Sequence, residues 1–280
     1  MILGAHMSMA KGFPAAADQT HNELDTHAMQ VFLKSPRGNA GKPLSTEDAD
    51  LFKKKCKKFN IEFVCGHASY LLNFAKPMDE ADPWQFQNIE DDLEKLGQIG
   101  GKGLVYHVGK TLKLEKSEAL QYLYVNLRRI LNTAEKNNVP LLLENCAGQG
   151  TEIGYKLEDI AEIIKTMGNH PYLKVCIDTC HAFAAGYDLR TPTNVQDFFT
   201  AMDKTIGLNN VTCFHFNDSK FEVGEHKDRH ENLGKGKIGE VGLKAFAKLA
   251  VENQKPIILE TPLINNSHKP DVEIVRSWFN

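Results

Sequence analysis

The sequence predicts an α/β fold closed into a single (β/α)8 barrel spanning residues 1–280. Three observations point there: eight short apolar runs, amphipathic stretches with helical spacing between them, and a length that suits one barrel of roughly 250 residues or more. The runs are Ile2–Ala5, Met29–Leu33, Ile61–Cys65, Leu104–His107, Pro140–Glu144, Leu173–Asp178, Val211–Phe216 and Pro256–Glu260. Each is nearly continuous in apolar character and bounded by turn residues or charges, as strands buried on both faces of a parallel sheet are. Helical spacing is clearest over Ala119–Asn137, where Leu120, Leu123, Leu127, Ile130, Leu131 and Ala134 share a face. Leu157–Met167 and Leu243–Val251 repeat the pattern. No linker-like stretch divides the chain, and no G-x-G-x-x-G follows the first strand, which counts against an open doubly wound sheet. Gly148-Gln149-Gly150, after the fifth strand, reads as a tight turn.

Composition bounds the function. With 42% hydrophobic and 25% charged residues the chain reads as a soluble globular protein. No apolar run approaches the ~18 residues of a membrane span. The first residues lack the basic and apolar regions of a signal peptide, so a cytoplasmic location is expected. Cys56, Cys65, Cys146, Cys176, Cys180 and Cys213 form no C-x-x-C pair, and are read as reduced, mostly buried thiols. The formal charge of −3 would turn positive on binding three divalent ions, so charge neither supports nor excludes a nucleic-acid partner.

Chemistry lies where the strands end. Reading each run to its C-terminal side gives His67, His107, Glu144, Asp178 with His181, His215 and Glu260, and the segment after the seventh run adds Asp228 and His230. In a barrel these positions converge on one face. Imidazole and carboxylate without thiolate suit zinc and tolerate manganese or iron. Nine side chains exceed the roughly four ligands of one zinc; with one bridging carboxylate they divide among three ions. Asp178 and His181 span a strand end and its turn, so they can reach different metals. Asp228 and His230 stand two apart on extended backbone and can grip the same one. Singly, each has a plain reading: His67 as a hydrogen-bonded core residue, Glu144 or Glu260 as a capping or ion-paired acid. Together, so many strand-end acids and histidines need a common counterion. His21, His27, His170, His226 and His268 are expected in solvent, and His6 is open between a supporting role and the core. Arg229 is open between a phosphate contact and an ion pair.

The longer motifs carry a resemblance. Val175–Asp188 (VCIDTCHAFAAGYD), His215–Lys220 with Asp228–His230 and Leu233–Gly239, Leu143–Asn145 with Ala147–Gly150, and Ile258–Thr261 together resemble the endonuclease IV family of apurinic/apyrimidinic endonucleases. The likeness runs from Gly4 to Thr261; Gly66 before His67 and Phe216 after His215 depart from it without removing a candidate ligand. It implies a xylose-isomerase-like TIM barrel with three zinc ions, manganese being possible at one or more sites. His67, His107 and Glu144 would hold the first; Glu144 would bridge to a second held by Asp178, His215 and Glu260; His181, Asp228 and His230 would hold the third. It also implies hydrolysis of the phosphodiester 5′ to abasic sites in double-stranded DNA, leaving a 3′-hydroxyl and a 5′-deoxyribose phosphate, with 3′-end cleaning, as part of base excision repair. Glu144 would be central to catalysis, and Arg37, Tyr70 and Leu71 would enter the DNA at the lesion, where a wedge replaces lost stacking. A monomer without organic cofactor is expected. The competing readings are a sugar isomerase or epimerase on a related barrel, and a lesion-binding protein without catalysis.

Overall fold

The structure, a computed structural model, describes residues 1–34, 43–79 and 83–279. Its strands are β1 (Leu3–Met7), β2 (Ala28–Phe32), β3 (Phe63–His67), β4 (Leu104–His107), β5 (Leu141–Glu144), β6 (Leu173–Asp178), β7 (Val211–His215), β8 (Asp218–Ser219), β9 (His230–Glu231) and β10 (Ile257–Leu259). All but β8 and β9 pair in parallel and close into a barrel in the order β1-β10-β7-β6-β5-β4-β3-β2. The expected closed barrel is therefore the observed one.

Helices fill the crossovers: α1 (Phe13–Asn22), α2 (Thr46–Lys58), α3 (Trp84–Ile99), α4 (Lys116–Lys136), α5 (Leu157–Thr166), the short α6 (Thr179–Ala184), α7 (Pro192–Thr205), α8 (Gly239–Glu252) and α9 (Lys269–Ser277). The stripe expected on α4 faces the core: Leu123, Leu127, Ile130, Leu131 and Ala134 are buried and Leu120 is half-buried against them, while Val125 on the far face is exposed. Each such leucine contributes about 1.5–3 kcal/mol of burial. Among the described residues no helix is long and apolar enough to cross a membrane.

Two strands run further than the apolar runs suggested. β1 continues through His6 and Met7, paired with Gln30 and Val31, and β3 through Gly66 and His67, paired with Leu104 and Val105. The apolar signal stops there because the barrel interior becomes polar at its mouth. Ala28, Phe63, Cys65, Val105, Leu142, Cys176, Cys213 and Ile258 form one apolar cluster inside the barrel. Side chains on a strand face the same way every second residue, so the next position on each strand also looks inward. Those positions are Gln30, His67, His107, Glu144, Asp178, His215 and Glu260, and β1 supplies His6 two residues after Gly4. Each of the eight strands thus adds one polar side chain to a single layer. All six cysteines are free, and only Cys56 is not fully buried.

Candidate metal centre

Glu144 is the hub of that layer. Its carboxylate is wholly buried, with Oε2 3.0 Å from His107 Nε2 and 3.3 Å from His67 Nε2. The other oxygen, Oε1, lies 2.9 Å from His215 Nδ1. Two donor groups share it: His67, His107 and Glu144 form one, and Glu144, Asp178, His215 and Glu260 the other, their ligand atoms lying within 4.8 Å of one another in each. Asp228 Oδ1 makes a third focus, 3.1 Å from His181 Nε2 and 3.4 Å from His230 Nε2. Asp178 Oδ2 stands 3.6 Å from His230 Nε2, so Asp178 adjoins the third group as well as the second. Cys180 is near Asp228 and His230, but burial pushes its thiol up to about 12, which keeps it neutral.

Local structure aims each donor. His67, His181 and His230 turn Nδ1 to the backbone carbonyls of Ala68 (2.7 Å), Asn145 (2.9 Å) and Glu260 (3.2 Å). Each ring is held there and turns Nε2 to the bowl, the arrangement by which outer hydrogen bonds orient metal-binding imidazoles. Asp178 caps α6, accepting from the His181 backbone N–H at Oδ1 (2.8 Å) and from Asn217 Nδ2 at Oδ2 (2.7 Å). Asn145 accepts the Asp178 N–H at 2.7 Å, and Asn217 accepts the Glu260 N–H at 2.9 Å. Neither asparagine was singled out from sequence, although both sit beside candidate ligands in the motifs quoted above.

The segment bearing Asp228 and His230 is fixed from two sides. Antiparallel β8 and β9 pair Ser219 with His230. Below them the buried Asp218 carboxylate accepts backbone N–H groups of Ser219, Gly234, Gly236, Ile238 and Gly239. A Cβ at Gly236 would fall on the Ser219 carbonyl and the Asp218 carboxylate, so only glycine closes this turn. On the other side Asp228 N–H donates to Gln149 Oε1 (3.3 Å), and His226 Nδ1 lies 3.0 Å from the Ala147 carbonyl. Gly148, at φ +82°, leaves the space that the His226 ring fills. The expected tight turn is also a tether.

Electrostatics show what the bowl is built to hold. Burial by itself raises the Glu144 carboxyl, but the His215 and His107 imidazoles beside it hold it well below the usual carboxylate range. Glu260 is held well below in the same way, chiefly by His215 against its own burial, and Asp228 is lowered by His181. Burial works against the charged forms of His107, His181 and His215, and the neighbouring carboxylates overcome it and raise all three. Yet Glu144 Oε2, His181 Nε2 and His230 Nε2 are buried atoms without a hydrogen-bond partner. Atoms that lie this close without hydrogen-bond alignment, in an all-nitrogen and oxygen set, fit shared zinc-type cations.

The bowl opens into a cavity of about 820 Å³, with Met7, Phe32, Pro262 and Leu263 as its apolar wall. Tyr70 lines the cavity, 53% exposed, and its ring meets Phe32 edge-on at 5.4 Å; Leu71, next in the chain, is 51% exposed. Arg37 lies outside the described residues. Arg229 is exposed and donates to the Asp228 carbonyl. His268 corrects an expectation: it is buried, packed behind Thr261 with Nδ1 3.3 Å from the hydroxyl, because α9 folds back over the end of β10. His6 lies in the polar layer, 3.5 Å from Glu260.

A parallel barrel whose strand ends gather buried histidines and acids defines a class, and the family model described as "Xylose isomerase-like TIM barrel" matches residues 21–278. Relatives named "Probable endonuclease 4" from Nitrosopumilus maritimus and Petrotoga mobilis are 36% and 35% identical over 278 and 279 residues. Each match covers 99% of this chain, and 98% and 97% of the relative. The crystal structure of endonuclease IV from Thermus thermophilus superposes with a TM-score of 0.86 at 30% identity, over 100% of this chain and 99% of that one. The chain belongs to the endonuclease IV family. A D-tagatose 3-epimerase-like protein, 19% identical with a TM-score of 0.76, shares the fold.

Proposed function

We propose that this chain is a three-metal AP endonuclease that hydrolyses the phosphodiester 5′ to an abasic deoxyribose in double-stranded DNA. Products are a 3′-hydroxyl and a 5′-deoxyribose phosphate; the same bowl trims blocked 3′ ends, and both activities serve base excision repair. Three linked donor groups on the floor of one open cavity carry this reading. His67, His107 and Glu144 would hold the first zinc, Glu144, Asp178, His215 and Glu260 the second, and His181, Asp228 and His230 the third, with manganese an alternative at one or more. When bound, such ions activate water at neutral pH and neutralise charge on a phosphate. The chain's residues do the rest. Glu144 keeps the first two groups in register, Asp178 joins the second to the third, and the apolar wall excludes bulk water from the reacting phosphate.

Selectivity follows from cost. A missing base makes the nucleotide cheap to unstack and flip, and a cavity of about 820 Å³ receives the extruded sugar. Tyr70 and Leu71 fill the gap left in the stack, together with Arg37. On this reading one barrel domain, as a cytoplasmic monomer without organic cofactor, carries the whole activity.

The test is incision of a 5′-labelled duplex carrying one tetrahydrofuran abasic mimic. Chelator-sensitive cutting at the mimic alone, leaving a 3′-hydroxyl, is expected; a lyase cannot cut it, and an uncut mimic with metals bound would turn attention to sugar phosphates. Tyr70→Ala is expected to weaken abasic-duplex binding by about 5–150-fold, the ~1–3 kcal/mol of one base–aromatic stack. Titration by fluorescence anisotropy, with an undamaged duplex beside it, checks this; equal affinity before and after the change would remove Tyr70 from the DNA contact.

A further inference from the structure

Seven of the eight side chains in the polar layer are acids or histidines. The eighth, Gln30 on β2, is fully buried. Its carboxamide has four partners: Oε1 lies 2.7 Å from His215 Nε2 and 3.4 Å from Cys65 Sγ, while Nε2 lies 2.5 Å from Glu260 Oε1 and 3.1 Å from His6 Nδ1. The amide can face only one way. A carboxylate accepts and never donates, so the side of Gln30 against Glu260 must be the NH2 and the side against His215 must be the carbonyl. The carbonyl in turn requires a donor, so His215 Nε2 carries a proton.

The consequence sets His215 apart. His67, His181 and His230 face the bowl with Nε2, because a backbone carbonyl takes Nδ1. His215 is reversed: Nδ1 lies 2.9 Å from Glu144 Oε1, 3.1 Å from Glu260 Oε2 and 3.9 Å from Asp178 Oδ2. Three oxygens of the four-donor group thus surround the other ring nitrogen, the one a bound cation would meet. We propose that Gln30 is a positioning residue of the metal centre, which presents His215 through Nδ1 and holds Glu260 against the same site. This rests on the metal reading above. Of these four rings, His215 is the one oriented by a side chain, so its orientation can be removed by mutation without touching a ligand.

The experiment compares the wild-type chain with Gln30→Leu, which deletes the hydrogen bonds to His215 and Glu260 along with those to His6 and Cys65, and Gln30→Glu, which keeps the acceptor for His215 and loses the donor to Glu260. Zinc is counted by elemental analysis after dialysis, its affinity is measured by competition with a chromophoric chelator, and histidine tautomers are read from long-range 1H–15N correlations. Both variants are expected to hold the weakest-bound zinc about 10–100-fold less tightly, the usual loss on removing an outer partner of a ligand. Gln30→Leu alone should lose the Nε2-protonated signature of His215. If Gln30→Leu does not fold, Gln30→Glu decides through affinity. Wild-type zinc content and affinity in the folded variants would overturn the role of Gln30 alone. A wild type that holds no zinc would overturn the metal reading itself.

Discussion

Glu144→Gln is expected to cut the rate of abasic-site incision by about 10³-fold or more, beyond the 10–100-fold typical of losing a residue that merely supports a ligand. The amide keeps the volume of the carboxylate, so the barrel should fold. What it removes is the negative charge that faces His67, His107 and His215 at once. One neutral oxygen cannot serve two cations, and the amide NH2 would point a donor at the other. Metal content should fall in the same protein, together with the first and second groups. Asp178→Asn, at the junction of the second and third, should behave alike. Single-turnover cleavage with parallel elemental analysis checks both; full cleavage with an intact metal complement in either variant would sink the assignment.

The second large effect is an inversion of the pH dependence of stability on metal loading. In the metal-free protein Glu144, Glu260 and Asp228 are depressed, so their contribution is present above the ordinary carboxylate values of 4.5 and 3.8 and is lost as pH falls further. His107, His181 and His215 are raised, so theirs is complete below 6.5 and is lost as pH climbs through their folded-state values. Both sets contribute fully only between 4.5 and 6.5, and the metal-free protein should be most stable there. Zinc needs the same imidazoles without their protons. Its stabilisation should therefore grow with pH and vanish near the acid end. At a thousandfold excess over Kd one site adds about 4 kcal/mol, roughly 10 °C in a chain of this size. Thermal unfolding from pH 4 to 9, with and without zinc, measures it. A zinc increment independent of pH would contradict the donor set.

Much of this was legible in the sequence because a parallel barrel writes itself in apolar runs. The runs located all eight barrel strands, and the helical stripe located α4 to within three residues at its start. Metal-type residues stood out because an acid or histidine ending such a run is costly without a partner. Gln30 did not stand out. A neutral amide inside an apolar run carries no comparable penalty signal, and its meaning depends on partners from β1, β7 and β10. The rule that could have found it is the alternation itself, since Gln30 follows the interior-facing Ala28 by two as His67 follows Cys65. β8 and β9 escaped because two-residue strands have no period. Asp218 was not singled out and His268 was expected in solvent for a related reason: their burial comes from backbone N–H groups and from α9, which arrive from later in the chain.

The four-donor group draws on β5, β6, β7 and the residue just past β10, and this orders events during synthesis. A nascent chain with β10 still inside the ribosome already displays Glu144, Asp178 and His215, but not Glu260, and the seam between β1 and β10 is open. No product of translation that stops before Glu260, and no N-terminal fragment clipped between β7 and β10, contains all four donors. Glu144, Asp178 and His215 stand on neighbouring strands, and Glu260 joins them only when β10 pairs with β7, so the capacity to cut a phosphodiester arrives last. A copy stalled or truncated before Glu260 should be harmless to the genome that encodes it.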